Sequence, residues 1–256
     1  MADDVRLTFV GHATVGVEIG ETMLLTDPIL RRQVNILRWA APPPDIDAFS
    51  STAAVLISHL HYDHCDLASL ALLGRDRLLL VPDGSSSLFT RRGFTNVVEM
   101  RPGSTYEVDG LTITATEADH DGRRRPFGAR GPALGYLVTG RGRRVYFAGD
   151  TDLFPAMKEI GEDLDIALLP VWGWGTSLGP GHLDPFTAAD ATALIEPRLV
   201  VPIHWGAMRP VWERRSPATW LAPVEQFSDA VRRRDLTSVD IEVVSPGESL
   251  TWPRAS

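Results

Sequence analysis

The chain has 256 residues, 44% of them apolar and 23% charged, which suits a globular protein with length for one large domain or two small ones. A net charge of −8 argues against broad binding to nucleic acid or anionic membranes, which basic surfaces serve. A single cysteine, Cys65, excludes an internal disulfide, and no apolar run reaches the roughly 18 residues of a membrane span; with no signal-peptide pattern at the N-terminus, a cytoplasmic protein is expected.

Three strands open the chain, "VRLTFV" (5–10), "TVGVEI" (14–19) and "TMLLTD" (22–27), separated by Gly-containing turns. The Pro-rich stretch 38–51 reads as a surface loop. "AAVLIS" (53–58) is a continuous apolar run, the pattern of a strand buried on both faces. "DLASLALLG" (66–74) reads as a helix capped by Asp66 and stopped by Gly74. A strand over 77–82, a short helix within 83–92 and a β-rich middle follow: "NVVEM", "STYEV", "LTITATEA", "ALGYLVTG" and "RRVYFAGD". The segment 152–162 patterns as a helix with Pro155 in its first turn. Next come a strand over 165–171, a helix over 184–197 with Asp184 as cap, a strand over 198–204 and a helix over 218–235 interrupted by Pro223. Two short strands, 238–244 and 248–252, close the chain. No break in composition divides it, so residues 1–256 read as a single α/β domain with stacked sheets and helices outside.

Seven histidines are present, and each lies in a loop or near the end of an expected strand, where scaffolded sites collect. The stretch "SHLHYDHCD" (58–66) is the densest. His59 and His61 are two apart, so in extended chain they project to one side; Asp63 and His64 follow where the chain turns and can face a neighbouring position. His120, Asp150 and His204 each follow a strand. Alone, such a histidine is an ordinary hydrogen-bonding residue and Asp150 before Thr151 an ordinary helix cap. Together with the 59–64 cluster they supply the ligands that a two-metal site would need.

These residues, with "TDP" at 26–28 and "IHWG" at 203–206, resemble the metallo-β-lactamase-fold hydrolases over nearly the whole chain, with H-x-H-x-D-H intact as His59, His61, Asp63 and His64. The resemblance implies an αββα sandwich of two mixed sheets. It implies one metal on His59, His61 and His120, a second on Asp63, His64 and His204, and Asp150 bridging them, with Asp27 supporting the site from behind. "GHATVGVEI", "LTDPIL", "RRVYFAGDT", "DIALLPV" and "HLDP" are further similar to the phosphodiesterase branch that includes N-acylphosphatidylethanolamine-hydrolysing phospholipase D, and to the ascorbate-phosphate lactonase group.

The expected chemistry is hydrolysis. Two divalent cations lower the pKa of water from 15.7 to about 7 and clamp a developing oxyanion. A phosphodiester is the expected substrate, a lactone or carboxylic ester the alternative, and a non-catalytic metal-binding regulator the reading from a different class. Imidazoles and carboxylates without thiolate suit Zn²⁺ first, then Mn²⁺ or Fe²⁺. Asp63 is expected to orient the attacking water and His182 to donate to the leaving group, against a plain loop role. His12 is either a support for a ligand carboxylate or structural. Trp172, Trp174 and Trp205 are expected to wall the substrate, and Arg125, within "RRR" at 123–125, to clamp a phosphate. The partner is thus a small-molecule or lipid-like ester, with no nucleic acid.

Overall fold

The computed structural model describes residues 4–40, 45–124, 128–175, 178–214 and 217–252. In chain order the elements are β1 (Val5–Gly11), β2 (Thr14–Ile19), β3 (Thr22–Thr26), β4 (Gln33–Val34), β5 (Leu37–Trp39), a 3₁₀ turn (Ile46–Phe49), β6 (Thr52–Leu56), α1 (Leu67–Leu72), β7 (Leu78–Pro82), α2 (Ser86–Thr90), β8 (Val97–Met100), β9 (Thr105–Val108) and β10 (Leu111–Glu117). The second half adds β11 (Leu134–Gly140), β12 (Arg143–Phe147), α3 (Met157–Ile160), β13 (Ile166–Pro170), α4 (Pro185–Ile195), β14 (Leu199–Ile203), β15 (Met208–Pro210), α5 (Pro217–Arg233), β16 (Asp240–Ile241) and β17 (Glu248–Trp252).

Two mixed sheets of seven strands each, ordered β17-β1-β2-β3-β6-β7-β8 and β16-β14-β13-β12-β11-β10-β9, form the body among the described residues. Their plans match. In each, four strands pair antiparallel (β17 to β3, and β9 to β12), and the sheet continues in parallel (β3 to β8, and β12 through β13 and β14 to β16). Side chains alternate across a strand, so the central strands of the first sheet feed two cores. Leu24, Ala54, Leu56 and Leu80 point between the sheets, where they meet Ile113, Tyr136, Phe147 and Leu168. Their neighbours Leu25, Val55, Leu79 and Val81 point outward under α1, α2 and the 3₁₀ turn, against Leu70, Phe89 and Phe49. On the second sheet, Ala188 and Ile195 of α4 and Phe227 and Val231 of α5 join the inter-sheet cluster. The α/β sandwich expected from the sequence is therefore the fold.

Several local expectations change. The loop expected over 38–51 contributes β5, whose Trp39 is buried, and residues 46–49 coil into the 3₁₀ turn over buried Phe49; residues 41–44 lie outside the described ones. With β4 and β15, β5 forms a three-stranded sheet of order β15-β5-β4. The helix expected over 152–162 shrinks to Met157–Ile160, because Asp152 instead pairs in an antiparallel bridge with Asp119 and Pro155 precedes the helix. The strand expected over 238–244 is reduced to Asp240–Ile241, whereas α5 runs through Pro223. Asp66 caps α1 as expected, accepting from Ser69 N–H, and Asp184 caps α4 in a capping box with Thr187.

Gly149, just before Asp150, packs against Ser58 and Leu134. It has φ +62, and a Cβ there would lie 2.6 Å from Ser58 Cβ and 2.9 Å from Leu134 O. Ser58 and Leu134 are themselves joined by a 2.9 Å backbone hydrogen bond. We expect Gly149→Ala to destabilise the protein by about 1–3 kcal/mol through strain and overpacking. Urea denaturation monitored by circular dichroism measures this, and an unchanged midpoint would show that the contact yields freely.

Candidate metal centre

The site gathers where strand ends of both sheets meet. From the first sheet come His12 in the β1–β2 turn, Asp27 just past β3, and Ser58 to His64 past β6; from the second come His120 past β10, Asp150 past β12 and His204 past β14. Three of these residues adopt left-handed backbone without being glycine: His12 (φ 57), Asp27 (φ 34) and His204 (φ 64). Such conformations cost about 1–3 kcal/mol each and persist where surrounding contacts impose them. Here the contacts are visible, since His204 N–H donates to His12 O at 2.7 Å, and Thr14 Oγ1 donates to Asp27 O at 2.8 Å.

Among the described residues four overlapping ligand-like groups result, two of them Asp27 with His59 and His64, and His120 with Asp150 and His182. In the other two, His59, His61 and His120 bring one nitrogen each within 4.8 Å of one another, and His12, Asp63, His64 and His204 gather in the same way. Asp150 lies between them. Its Oδ2 is 3.2 Å from His64 Nε2, 3.5 Å from His182 Nε2 and 4.0 Å from His59 Nε2, and its Oδ1 is 3.2 Å from His204 Nε2.

Hydrogen bonds on the outer side decide which nitrogen of each ring carries the proton. A carbonyl only accepts, so Nδ1–H of His204 donates to Trp172 O, that of His120 to Gly181 O and that of His182 to Gly179 O. Nδ1–H of His64 donates to the Asp27 carboxylate at 2.7 Å. Ser58 gives its hydroxyl proton to Asp27, so it accepts from Nδ1–H of His59 at 2.9 Å. In the neutral rings every remaining Nε2 lone pair is thereby free to act as a donor atom to a cation. His59 Nε2 and Asp150 Oδ1 are buried without a hydrogen-bond partner, and His64 Nε2 and His204 Nε2 approach to 2.9 Å. Nitrogen and oxygen lone pairs crowded in this way fit a pair of divalent cations. His61 differs: its Nδ1 faces His120 Nε2 at 3.2 Å, and its Nε2 has no hydrogen-bond partner.

His12 joins the second cluster through Asp63, donating from Nε2 to Asp63 Oδ2 at 3.0 Å; Trp174 Nε1–H donates to the same oxygen at 3.0 Å. A cavity of about 440 Å³ opens onto these groups, with Trp174 and His182 on its wall. Trp172 and Trp205 take other places. Trp172 holds His204 through its backbone carbonyl, while its ring N–H turns to Gly175 O. Trp205 is buried beside Phe9, with its N–H on Pro202 O, so the expectation that it faces substrate is corrected: it is a core residue. Arg125 lies outside the described residues. Cys65 is buried, and burial pushes its thiol up to about 12, the state of an inert core residue. Ser58 escaped sequence reasoning. Its only signal was a small hydroxyl residue directly before His59, and its value depends on Asp27 approaching from another strand.

A family model described as "Beta-lactamase superfamily domain" matches residues 22–205. The solved structure of Igni18, a metallo hydrolase from Ignicoccus hospitalis, is similar with a TM-score of 0.75 and 27% identity over 98% of this chain and 100% of that one. CmlA, a diiron β-hydroxylase from Streptomyces venezuelae, has a TM-score of 0.69 at 21% identity over 99% of this chain and 55% of that one, a likeness of fold alone. Fold and family model thus define a metal-dependent hydrolase of the β-lactamase superfamily. A UPF0173 metal-dependent hydrolase of Methanopyrus kandleri is 33% identical over 256 residues, covering 95% of this chain and 98% of that protein. The chain belongs to this UPF0173 metal-dependent hydrolase family. Among the described residues no helix is long and apolar enough to cross a membrane.

Burial lowers the pKa of His59 and His120, and brings His61 down to about 4 and His204 to about 3. Burial also opposes charge on His64 and His182, but there the Asp150 carboxylate prevails and both are raised. In the unfolded chain imidazole titrates near about 6.5, so below that pH the unfolded state binds protons that the four lowered rings refuse. The two raised rings are protonated in both states there and add no slope. The metal-free protein should therefore lose stability steadily as pH falls from about 6.5 toward about 4. Thermal melts in chelator across that range would show a falling midpoint, and a flat profile would count against buried neutral rings.

Proposed function

We propose that the centre holds two divalent cations, zinc in the first instance, with His59, His61 and His120 on one, Asp63, His64 and His204 on the other, and Asp150 shared. The observation that carries this reading is the set of Nδ1 hydrogen bonds that leaves the Nε2 lone pairs of His59, His64, His120 and His204 free. When bound, such a pair polarises a substrate oxygen and makes water acidic enough to attack near neutral pH. The chain's own groups do the rest. Asp63, fixed by His12 and Trp174, accepts a hydrogen bond from the attacking water and orients it. The water sheds one proton to solvent, its oxygen bonds to the ester centre, and the bond to the leaving alcohol oxygen breaks. His182, on the cavity wall and raised in pKa beside Asp150, holds a proton at Nε2 and passes it to that oxygen. Asp27 and Ser58 keep His64 and His59 in the required tautomers throughout.

The scissile ester has two forms to weigh. The resemblance of "RRVYFAGDT" and "HLDP" to phosphodiesterases supports a phosphodiester; the cavity beside the centre supports a carboxylic ester or lactone. A binding protein without turnover is the reading from another class, and His182 argues against it, since a storage site has no need of a proton donor on the cavity wall.

Elemental analysis after zinc loading should find about two cations per chain, as two-metal hydrolases hold. His59→Ala and Asp150→Ala should each lose at least one of them and nearly all hydrolysis, with far-ultraviolet circular dichroism unchanged. Either variant keeping full metal content and turnover would overturn the assignment.

A further inference from the structure

The reading above leaves the substrate's chemical class open, and the cavity's walls bear on it. At about 440 Å³ the cavity falls within the roughly 300–1,000 Å³ of small-molecule sites. Its floor is the polar centre, with His61, Asp63, Asp150, His182 and His204. Its side wall is mainly apolar: Val34, Ile36 and Leu37 from the β4–β5 hairpin, which also brings Asn35, and Trp174 and Leu178 from the chain after β13. The Trp174 N–H is committed to Asp63, so its ring presents carbon to the cavity. Ile36 is 44% exposed and Trp174 37% exposed, large apolar surface at the entrance that an apolar ligand would cover.

Among the described residues, this lining holds no side-chain cation from Arg or Lys for the free oxygens of a phosphodiester. Arg124 lies behind Tyr62, 4.0 Å from its ring, with Nη1 donating to the carbonyls of Leu60 and Cys65; Arg123 pairs with Asp121. Phosphoryl-transfer sites usually add side-chain cations to their metals, because charge spreads over three equatorial oxygens. A carbonyl develops its charge on a single oxygen and makes no such demand on the lining.

We propose that the cavity takes an uncharged carboxylic ester, open or closed as a lactone, whose apolar acyl arm lies against the β4–β5 hairpin and the side chains of Trp174 and Leu178. The proposal rests on the hydrolase reading for its reaction but on the wall for its specificity. Two measurements on the full chain separate the two. In the zinc-loaded protein, kcat/KM for p-nitrophenyl esters should climb from acetate to hexanoate by at least about tenfold, each buried methylene contributing up to about fourfold. It should exceed that for bis-p-nitrophenyl phosphate, and matched short- and long-chain γ-lactones tell the cyclic form from the open one. In the metal-free protein, calorimetry should detect methyl nonyl ketone, a neutral apolar probe that cannot be hydrolysed. Ile36→Asp and Leu178→Asp should each weaken it at least about tenfold, since a charge placed in the wall must be desolvated.

A preference for the phosphodiester, or esters turned over without regard to chain length, would overturn the proposal, as would ketone binding indifferent to both variants. If the ketone binds and the variants weaken it while the loaded protein hydrolyses nothing, the hydrolytic reading fails and the apolar arm site stands.

Discussion

Asp27 has no solvent access, yet its carboxylate organises the site. It accepts from the backbone N–H and hydroxyl of Ser58 and from Nδ1–H of His64. An uncompensated carboxylate in such a place would cost several kcal/mol, and burial does push its pKa up while His64 and Ser58 oppose that shift. Charge-assisted hydrogen bonds contribute about 1.5–3 kcal/mol each, so three of them offset much of the burial, although burial prevails and the pKa stays raised. The arrangement also acts at a distance. By taking the Ser58 hydroxyl proton, Asp27 makes Ser58 an acceptor, and that sets the tautomer of His59 as firmly as Asp27 itself sets that of His64. One buried charge thus orients a ring in each of the two clusters.

This hub works because of where the fold ends its strands. β3 and β6 run parallel and adjacent, so Asp27 and Ser58 leave the sheet side by side. β12, β13 and β14 run parallel in the facing sheet and deliver Asp150, the Trp172 carbonyl and His204 together. Neither sheet holds a complete site. His59 and His61 meet His120 from the other sheet, and Asp63 and His64 meet His204. The inter-sheet core of Leu24, Leu56, Tyr136, Phe147 and Leu168 therefore does more than stabilise the protein. It fixes the distance across which seven side chains converge, and close-packed interiors yield little in that dimension. Gly149 shows how close the fit is, since a Cβ there would lie 2.6 Å from Ser58 Cβ.

Much of this was legible in the sequence, and the limits have physical reasons. Long apolar runs such as Ala53–Ile57 and Leu199–Ile203 announce buried strands, and the histidines at their ends announce a site, because both signals are local. β4, β5 and β15 were not legible. They are two or three residues long, too short for any periodicity, and exist because they pair with one another. The segment 152–162 patterned as a helix, but Asp152 had a partner in Asp119 that no local window contains. Trp205 shows the same limit from the other side: next to a site histidine in sequence, its ring turns back toward Phe9, past the left-handed turn of the backbone at His204. The cavity walls were the least legible part. Ile36, Leu37 and Leu178 look like any aliphatic residues until the small sheet and the glycine-rich loop are folded over the centre.

His64 and His204 show what the network is built against. Their Nε2 atoms are 2.9 Å apart, and the outer partners, Asp27 and the Trp172 carbonyl, have already claimed both Nδ1 protons. Two lone pairs at that distance repel, so a positive charge must lie between or beside them. In the metal-free chain a proton on His64 serves, which agrees with its raised pKa and with the depression of His204 to about 3. A divalent cation would serve better, since it also answers Asp63 and Asp150, whose carboxyls these same rings hold well below the usual range although burial would raise them. Cation binding would then release the His64 proton, and affinity would rise with pH until that release is complete. The crowding and left-handed backbone that make the folded chain less favourable on its own are the same features that would favour a bound cation. The site's stability and its chemistry are in this sense one quantity, divided between the folding of the chain and the binding of its metals.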